Sequence, residues 1–180
     1  MSEGRAPSAY SLTARALHWI TAILVMTAIP IGIVMVNVSA GPLQDSLFDL
    51  HRSIGTVIIP VIIVRFGYRL THPPLPLPYD IPAIQQFAAH ATHWGLYGLL
   101  IVQPFLGWVA TSAYGASILV FGLFALPPIW PKDQIFSERL FVVHQLIGLA
   151  IACLAAGHIG AAFYHQFIRN DRVLMRMITG

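Results

Sequence analysis

The sequence is short of charge and nearly free of cysteine. Only 9% of its 180 residues are Asp, Glu, Lys or Arg, where an ordinary soluble domain carries about 25%. Hydrophobic residues make up 57% and mean hydropathy is +0.72. Such a chain cannot cover a water-facing surface, so lipid is its expected solvent. Hydrophobicity of this order also excludes disorder. A lone cysteine, Cys153, excludes a disulfide scaffold, and the missing C-x-x-C-H excludes c-type haem attachment. The pI near 9.4 rests on 10 Lys and Arg against 7 Asp and Glu, with no basic run interleaved with aromatics. No nucleic-acid partner is expected.

What is present is four apolar stretches long enough to cross roughly 30 Å of hydrocarbon: about Leu17 to Val36, Ile54 to Leu70, Thr92 to Ser112 and Leu140 to Phe167. Ala40-Gly41-Pro42, the proline-rich run Pro73 to Pro78, and Pro127-Pro128-Ile129-Trp130-Pro131 separate them. A fifth apolar run, Ser117 to Leu126, is too short to cross and is expected in the interface or re-entering the protein. With both termini inside, the inner segments carry Arg5, Arg15, Arg65, Arg69, Arg169, Arg172 and Arg176, and the outer ones only Arg52, Lys132 and Arg139. Seven cations against three assign both termini to the cytoplasm. Trp19, Trp94, Trp108 and Trp130 fall near span ends or in loops, as interfacial aromatics do. Arg15, the first apolar stretch and Val38-Ser39-Ala40 together imitate a signal peptide, but the stretch exceeds a usual signal core and cleavage would discard His18.

Eight histidines stand beside 17 formally charged residues, most of them in or at the edges of the spans. Intramembrane ionisable groups are costly and mark functional sites; at a span end, a histidine also has the ordinary role of bonding a carbonyl. His18 lies near the inner side of the first span and His51 near the outer side of the second. His144 and His158 share the fourth span, 14 residues apart. That is about 21 Å of helix, with both imidazoles on nearly one face. The four sort by depth into His18 with His158 inside and His51 with His144 outside. Two such pairs in a helical bundle suit two bis-histidine haems, six-coordinate and therefore fitted to electron transfer rather than oxygen binding. Zinc wants a tetrahedral cluster; a retinal Schiff base needs a buried lysine, and Lys132 is in a loop. A histidine proton channel normally recruits carboxylates, and the four stretches hold none. Gly32, Gly55, Gly98, Gly107, Gly148, Gly157 and Gly160 mark close approaches, to a macrocycle or to a neighbouring helix. Cys153 reads as a small buried hydrophobe.

These residues resemble the bacterial cytochrome b561 family. The matching stretches are Ala16-Leu17-His18-Trp19, His51-Arg52-Ser53-Ile54-Gly55, Arg65-Phe66-Gly67-Tyr68-Arg69, Ala89-His90-Ala91-Thr92-His93 and Gln103-Pro104-Phe105-Leu106-Gly107-Trp108. To these add Phe121-Gly122-Leu123, Leu126-Pro127, His144, Gly148, Gly157-His158 and His165. The resemblance spans nearly the whole chain. It implies one all-α transmembrane domain over residues 1–180, a four-helix bundle binding two noncovalent b haems. The axial positions map onto His18, His51, His144 and His158 as metal ligands, in a multi-pass protein of the bacterial inner membrane.

Small members of that family resemble superoxide oxidases, in which superoxide reduces the outer haem and the inner haem reduces ubiquinone. Larger relatives are haem subunits of membrane dehydrogenases and hydrogenases, so a periplasmic redox protein is the alternative donor and membrane lipid the constant partner. Superoxide would be steered by outer cations: Arg52, Arg139 and Lys132. Arg52 and Arg139 are equally suited to anchoring propionates or headgroups. Ubiquinone reduction needs a proton donor near the inner haem, for which the candidates are His165, His90 and His93. Ala113 to Arg139 is either a docking surface or a cap over the outer haem.

Overall fold

The computed structural model describes residues 9–76, 81–171 and 173–179. Arg5 and Arg172, two of the inner cations, and Leu77-Pro78 of the proline-rich run lie outside them. Four long helices dominate: α1 Leu12–Met35, α2 Pro42–Thr71, α3 Ala83–Tyr114 and α4 Gln134–Tyr164, the last continuing as a π-helical turn, His165–Arg169. All four are long and apolar enough to span a membrane.

The helix ends follow local chemistry. Ser11 Oγ accepts the Ala14 N–H at the start of α1, and Asp133 Oδ1 accepts the Phe136 N–H at the start of α4. Pro42 opens α2 at a position where no N–H is needed. Gly115, at φ 87°, ends α3 in the left-handed conformation. These helices run past the apolar stretches at most ends. Hydropathy marks only the residues in hydrocarbon, whereas capping fixes where the backbone stops being helical. Asp45 and Asp49 therefore lie on α2, outside the stretch from Ile54 to Leu70.

The packing pairs α1 with α2 and α3 with α4, and α2 also packs on α3. Val25, Ala28, Ile54, Ile58, Ile62, Leu100 and Ile151 form the shared core. The run Ser117 to Leu126, expected in the interface or re-entering the protein, forms an antiparallel hairpin of β1 Ile118–Val120 and β2 Phe124–Leu126. Phe121 (φ 47°) and Gly122 (φ 73°) close it with the Leu123 N–H on the Val120 carbonyl, the backbone that a tight primed turn demands. Ile118 and Val120 are buried against α2. Ser53 Oγ donates to the Asp49 carbonyl and accepts the Phe121 N–H, fastening the turn to α2.

At the other end a short helix, α5 Met175–Ile178, folds back over the start of α1. Its backbone accepts from the Tyr10 N–H (3.2 Å), Arg15 Nη1 (3.2 Å) and Trp19 Nε1 (3.0 Å), while Arg176 Nη1 donates to the Pro76 carbonyl. Burial under this strap raises the Tyr10 phenol above its ordinary pKa, against the opposing pull of Arg69 and Arg176.

Cys153 is exposed on the outside of the bundle, not buried as its apolar surroundings suggested. In a span, an apolar environment is lipid as often as core.

Candidate functional site

Two pairs of imidazoles lie inside the bundle. At the end that the cation distribution makes the outer one, His51 of α2 and His144 of α4 have ring centres 6.1 Å apart; at the opposite end, inner on the same expectation, His18 of α1 and His158 of α4 are 6.2 Å apart. Two metal–nitrogen bonds of about 2 Å, with about 1 Å from each nitrogen to its ring centre, give a separation of about 6 Å for imidazoles on opposite sides of one metal. Both pairs stand at that spacing. Among the described residues no three His, Cys, Asp or Glu side chains gather as a cluster able to hold a bare ion. The protein thus offers two donors per depth, which suits a metal whose remaining donors come from a macrocycle.

The outer rings are held by backbone. His51 Nδ1–H donates to the Ala28 carbonyl at 3.1 Å, leaving Nε2 as its metal-binding atom. A Cβ at Gly32 would stand 2.9 Å from His51 Cε1, and one at Gly107 would stand 3.0 Å from His144 Cε1. Each glycine is therefore the space its histidine ring occupies. Gln103 Nε2 donates to the His144 carbonyl at 2.9 Å beside Gly148, while His144 Nδ1 and Gln103 Oε1 are buried without partners. Among the described residues, a close protein neighbour stands where a Cβ would be at Gly32, Gly107 and Gly148, and none does at Gly55, Gly98, Gly157 or Gly160.

The inner end is more crowded. His93 of α3 lies 5.2 Å from the His158 ring, making three imidazoles rather than two. Arg65 Nη2 donates to His18 Nδ1 at 2.9 Å, with its guanidinium 5.3 Å from the Tyr97 ring centre. His90, one turn from His93, makes no ring contact with these groups; it is exposed and bonds the Gln86 carbonyl of its own helix. His165 opens the π-helical turn, and its Nδ1–H donates to Asp171 Oδ2 at 2.5 Å. Burial pushes the Asp171 carboxyl up, but hydrogen bonds from His165, the Val173 N–H and Arg169 outweigh it and hold the pKa below the usual range. On the outer side Arg52 is paired with Asp49 at 3.6 Å and lies over Phe48. Arg139 and Lys132 are exposed, the Lys132 stem packing on Gly115.

Sequence reading missed Asp171, Arg65 and Gln103. Asp171 was legible as the one carboxylate within six residues of His165, and Arg65 as a permanent charge inside a span. Gln103 was legible only as the first residue of the family-like stretch Gln103 to Trp108, with no role attached.

The profile of the prokaryotic cytochrome b561 family matches residues 9–180. This chain belongs to that family. It is 31% identical to "Cytochrome b561 homolog 2" of Escherichia coli (strain K12), over 99% of this chain and 95% of the relative. It is 27% identical to "Probable superoxide oxidase CybB" of Yersinia pestis, over 94% and 95%, and 24% identical to "Cytochrome b562" of Cereibacter sphaeroides, over 90% of each. The protein is a multi-pass transmembrane b-type cytochrome, a four-helix haem bundle that carries out redox electron transfer. The donor set fits b haem: paired imidazoles at metal-bridging distance, a backbone carbonyl fixing the outer tautomer, and glycines making room for the outer rings.

Proposed function

We propose that this cytochrome is a superoxide:ubiquinone oxidoreductase of the bacterial inner membrane, a single domain with both termini cytoplasmic and two b haems. His51 and His144 ligate the outer haem, His18 and His158 the inner one. The observation that carries this reading is the pair of imidazole pairs at 6.1 and 6.2 Å at opposite ends of one bundle. Such an arrangement moves electrons across the membrane and not along it. The haems supply one-electron carriers at two depths. Two superoxide anions release two electrons and two O2 outside; one quinone takes two electrons and two protons inside.

The residues divide the work accordingly. Arg139 and Lys132, beside Glu138 and Asp133, are the exposed outer cations that an anionic donor would meet, and Arg52, neutralised in part by Asp49, adds less. Inside, Asp171 fixes the His165 proton on Nδ1, leaving Nε2 to exchange a proton with a quinone oxygen. His93 is the second proton-bearing candidate, beside His158; exposed His90, tied to its own helix, is the third. Superoxide-dependent haem reduction by the purified protein, abolished by superoxide dismutase and followed by quinol formation, tests the activity.

A second reading, a haem conduit subunit for a dehydrogenase or hydrogenase, has one observation in its favour. The tip of the outer hairpin exposes Phe121, Leu123 and Phe124, an apolar surface suited to a partner. Fast reduction by a protein donor with none by superoxide would select it.

A further inference from the structure

The two helical hairpins repeat each other. Phe48-x-x-His51-x-x-Ile54-Gly55-x-x-Ile58 in α2 recurs as Phe141-x-x-His144-x-x-Ile147-Gly148-x-x-Ile151 in α4, an offset of 93 residues. Ala16-Leu17-His18-Trp19 in α1 recurs as Ala91-Thr92-His93-Trp94 in α3, an offset of 75, and the same offset carries Gly32 onto Gly107. The geometry repeats too. Gly32 meets His51 as Gly107 meets His144, and Arg65 meets His18 where His158 meets His93.

All eight histidines fall on this repeat. His18 matches His93, His51 matches His144 and His72 matches His165. The remaining two, His90 and His158, fall on arginines, Arg15 and Arg65. At the inner end, then, the second hairpin carries imidazoles where the first carries permanent cations. That substitution needs a physical account, because a guanidinium inside a span is costly without an acceptor.

Among the described residues no carboxylate pairs with either arginine. Arg15 Nε is buried without a hydrogen-bond partner, and Arg15 lies one turn before His18 on the same helix. The acceptor for Arg65 at close range is His18 Nδ1, with Tyr97 beside the guanidinium. A guanidinium only donates, so this bond needs a lone pair on Nδ1. An imidazole that binds metal through Nε2 carries its proton on Nδ1 and cannot accept. Ligation by His18 therefore releases Arg65 to seek another acceptor beside the inner site, and a planar fork is best met by a carboxylate.

We propose that Arg65 and Arg15 form the carboxylate-binding end of the inner site and hold the propionates of the tetrapyrrole ligated by His18 and His158. The inference rests on that ligand assignment. Lipid phosphate offers the same oxyanion chemistry, and the experiment separates the two sources. In the purified holoprotein, Arg65→Gln and Arg15→Gln should each shift the propionate bending band of the inner haem in resonance Raman spectra. Each should also lower its reduction potential, since losing a nearby cation favours the ferric form, while the outer haem keeps its band and potential. Arg65→Lys should restore most of the potential. If Arg65→Gln loses the inner haem, Arg15→Gln and Arg65→Lys still report the band and the potential. Unchanged inner-haem band and potential in Arg15→Gln and Arg65→Gln would overturn the proposal. So would an unchanged band with a loss of copurified phospholipid phosphate, which would assign the arginines to headgroups. Retention of both haems in His18→Ala and His158→Ala would instead sink the ligand assignment itself.

Discussion

The outer and inner ends of the bundle hold the same kind of histidine pair in different surroundings. Outside, His51 and His144 sit in glycine notches of the facing helices, and among the described residues the only side chain bonded to either is Gln103, on a backbone carbonyl. A hairpin pinned by Ser53 covers the neighbouring part of α2. Inside, His18 and His158 share their space with Arg65 and His93, and the α5 strap bonds back to Tyr10, Arg15 and Trp19. The contrast sets a packed, apolar histidine pair against one crowded by a cation and an extra imidazole, with a carboxylate in the tail beyond it. Under the proposed function, the crowded end is the one that has to bind anions and handle protons as well as carry electrons.

The sharpest way to break that comparison is to remove a ligand. His51→Ala or His144→Ala should reduce a pyridine haemochrome count of two haems per chain to one, with the inner haem spectrum kept; loss of the same haem in His18→Ala would abolish the distinction between the ends. Filling a notch is nearly as severe. Gly107→Val or Gly32→Val places atoms where a ring stands, so outer haem content should fall several-fold. Unchanged outer haem content in both variants would mean that the notches do not hold the rings.

At the inner end, His165→Ala should slow quinone reduction on the order of 100-fold, the usual weight of a positioned acid or base, with both haem spectra intact. Asp171→Asn should give a smaller loss, about 10-fold, because it misorients the imidazole without deleting it. Asp171 is held below the usual carboxylate range, so its tie to the tail is present above that range and is lost only as pH falls through the lowered value. Protection of α5 backbone amides from hydrogen exchange should follow the same course, and protection lost already near neutral pH would contradict it. The smallest effect is expected far from either pair. Ser137, fully buried, donates to the Ala110 carbonyl at 3.0 Å between α3 and α4. Ser137→Ala should cost about 1 kcal/mol of stability with turnover unchanged, measured by thermal unfolding in detergent.

The spans and the four half-buried histidines of the two pairs were legible in the sequence because lipid makes composition and depth decisive. An apolar stretch has one place to go, and a histidine within it carries its height in its residue number. The repeat was equally present in the letters, in Ala-x-His-Trp and Phe-x-x-His-x-x-Ile-Gly, and so was the exchange of histidine for arginine at Arg15 and Arg65. Tertiary structure decided what rotation and contact decide. It set which glycines are notches, that Cys153 faces outward, that Ser117 to Leu126 folds into a hairpin, and that His93 stands with the inner pair while His90 does not. Helical periodicity gives each residue a face but not the identity of the helix opposite, and the short tail that brings Asp171 to His165 has no periodicity to read.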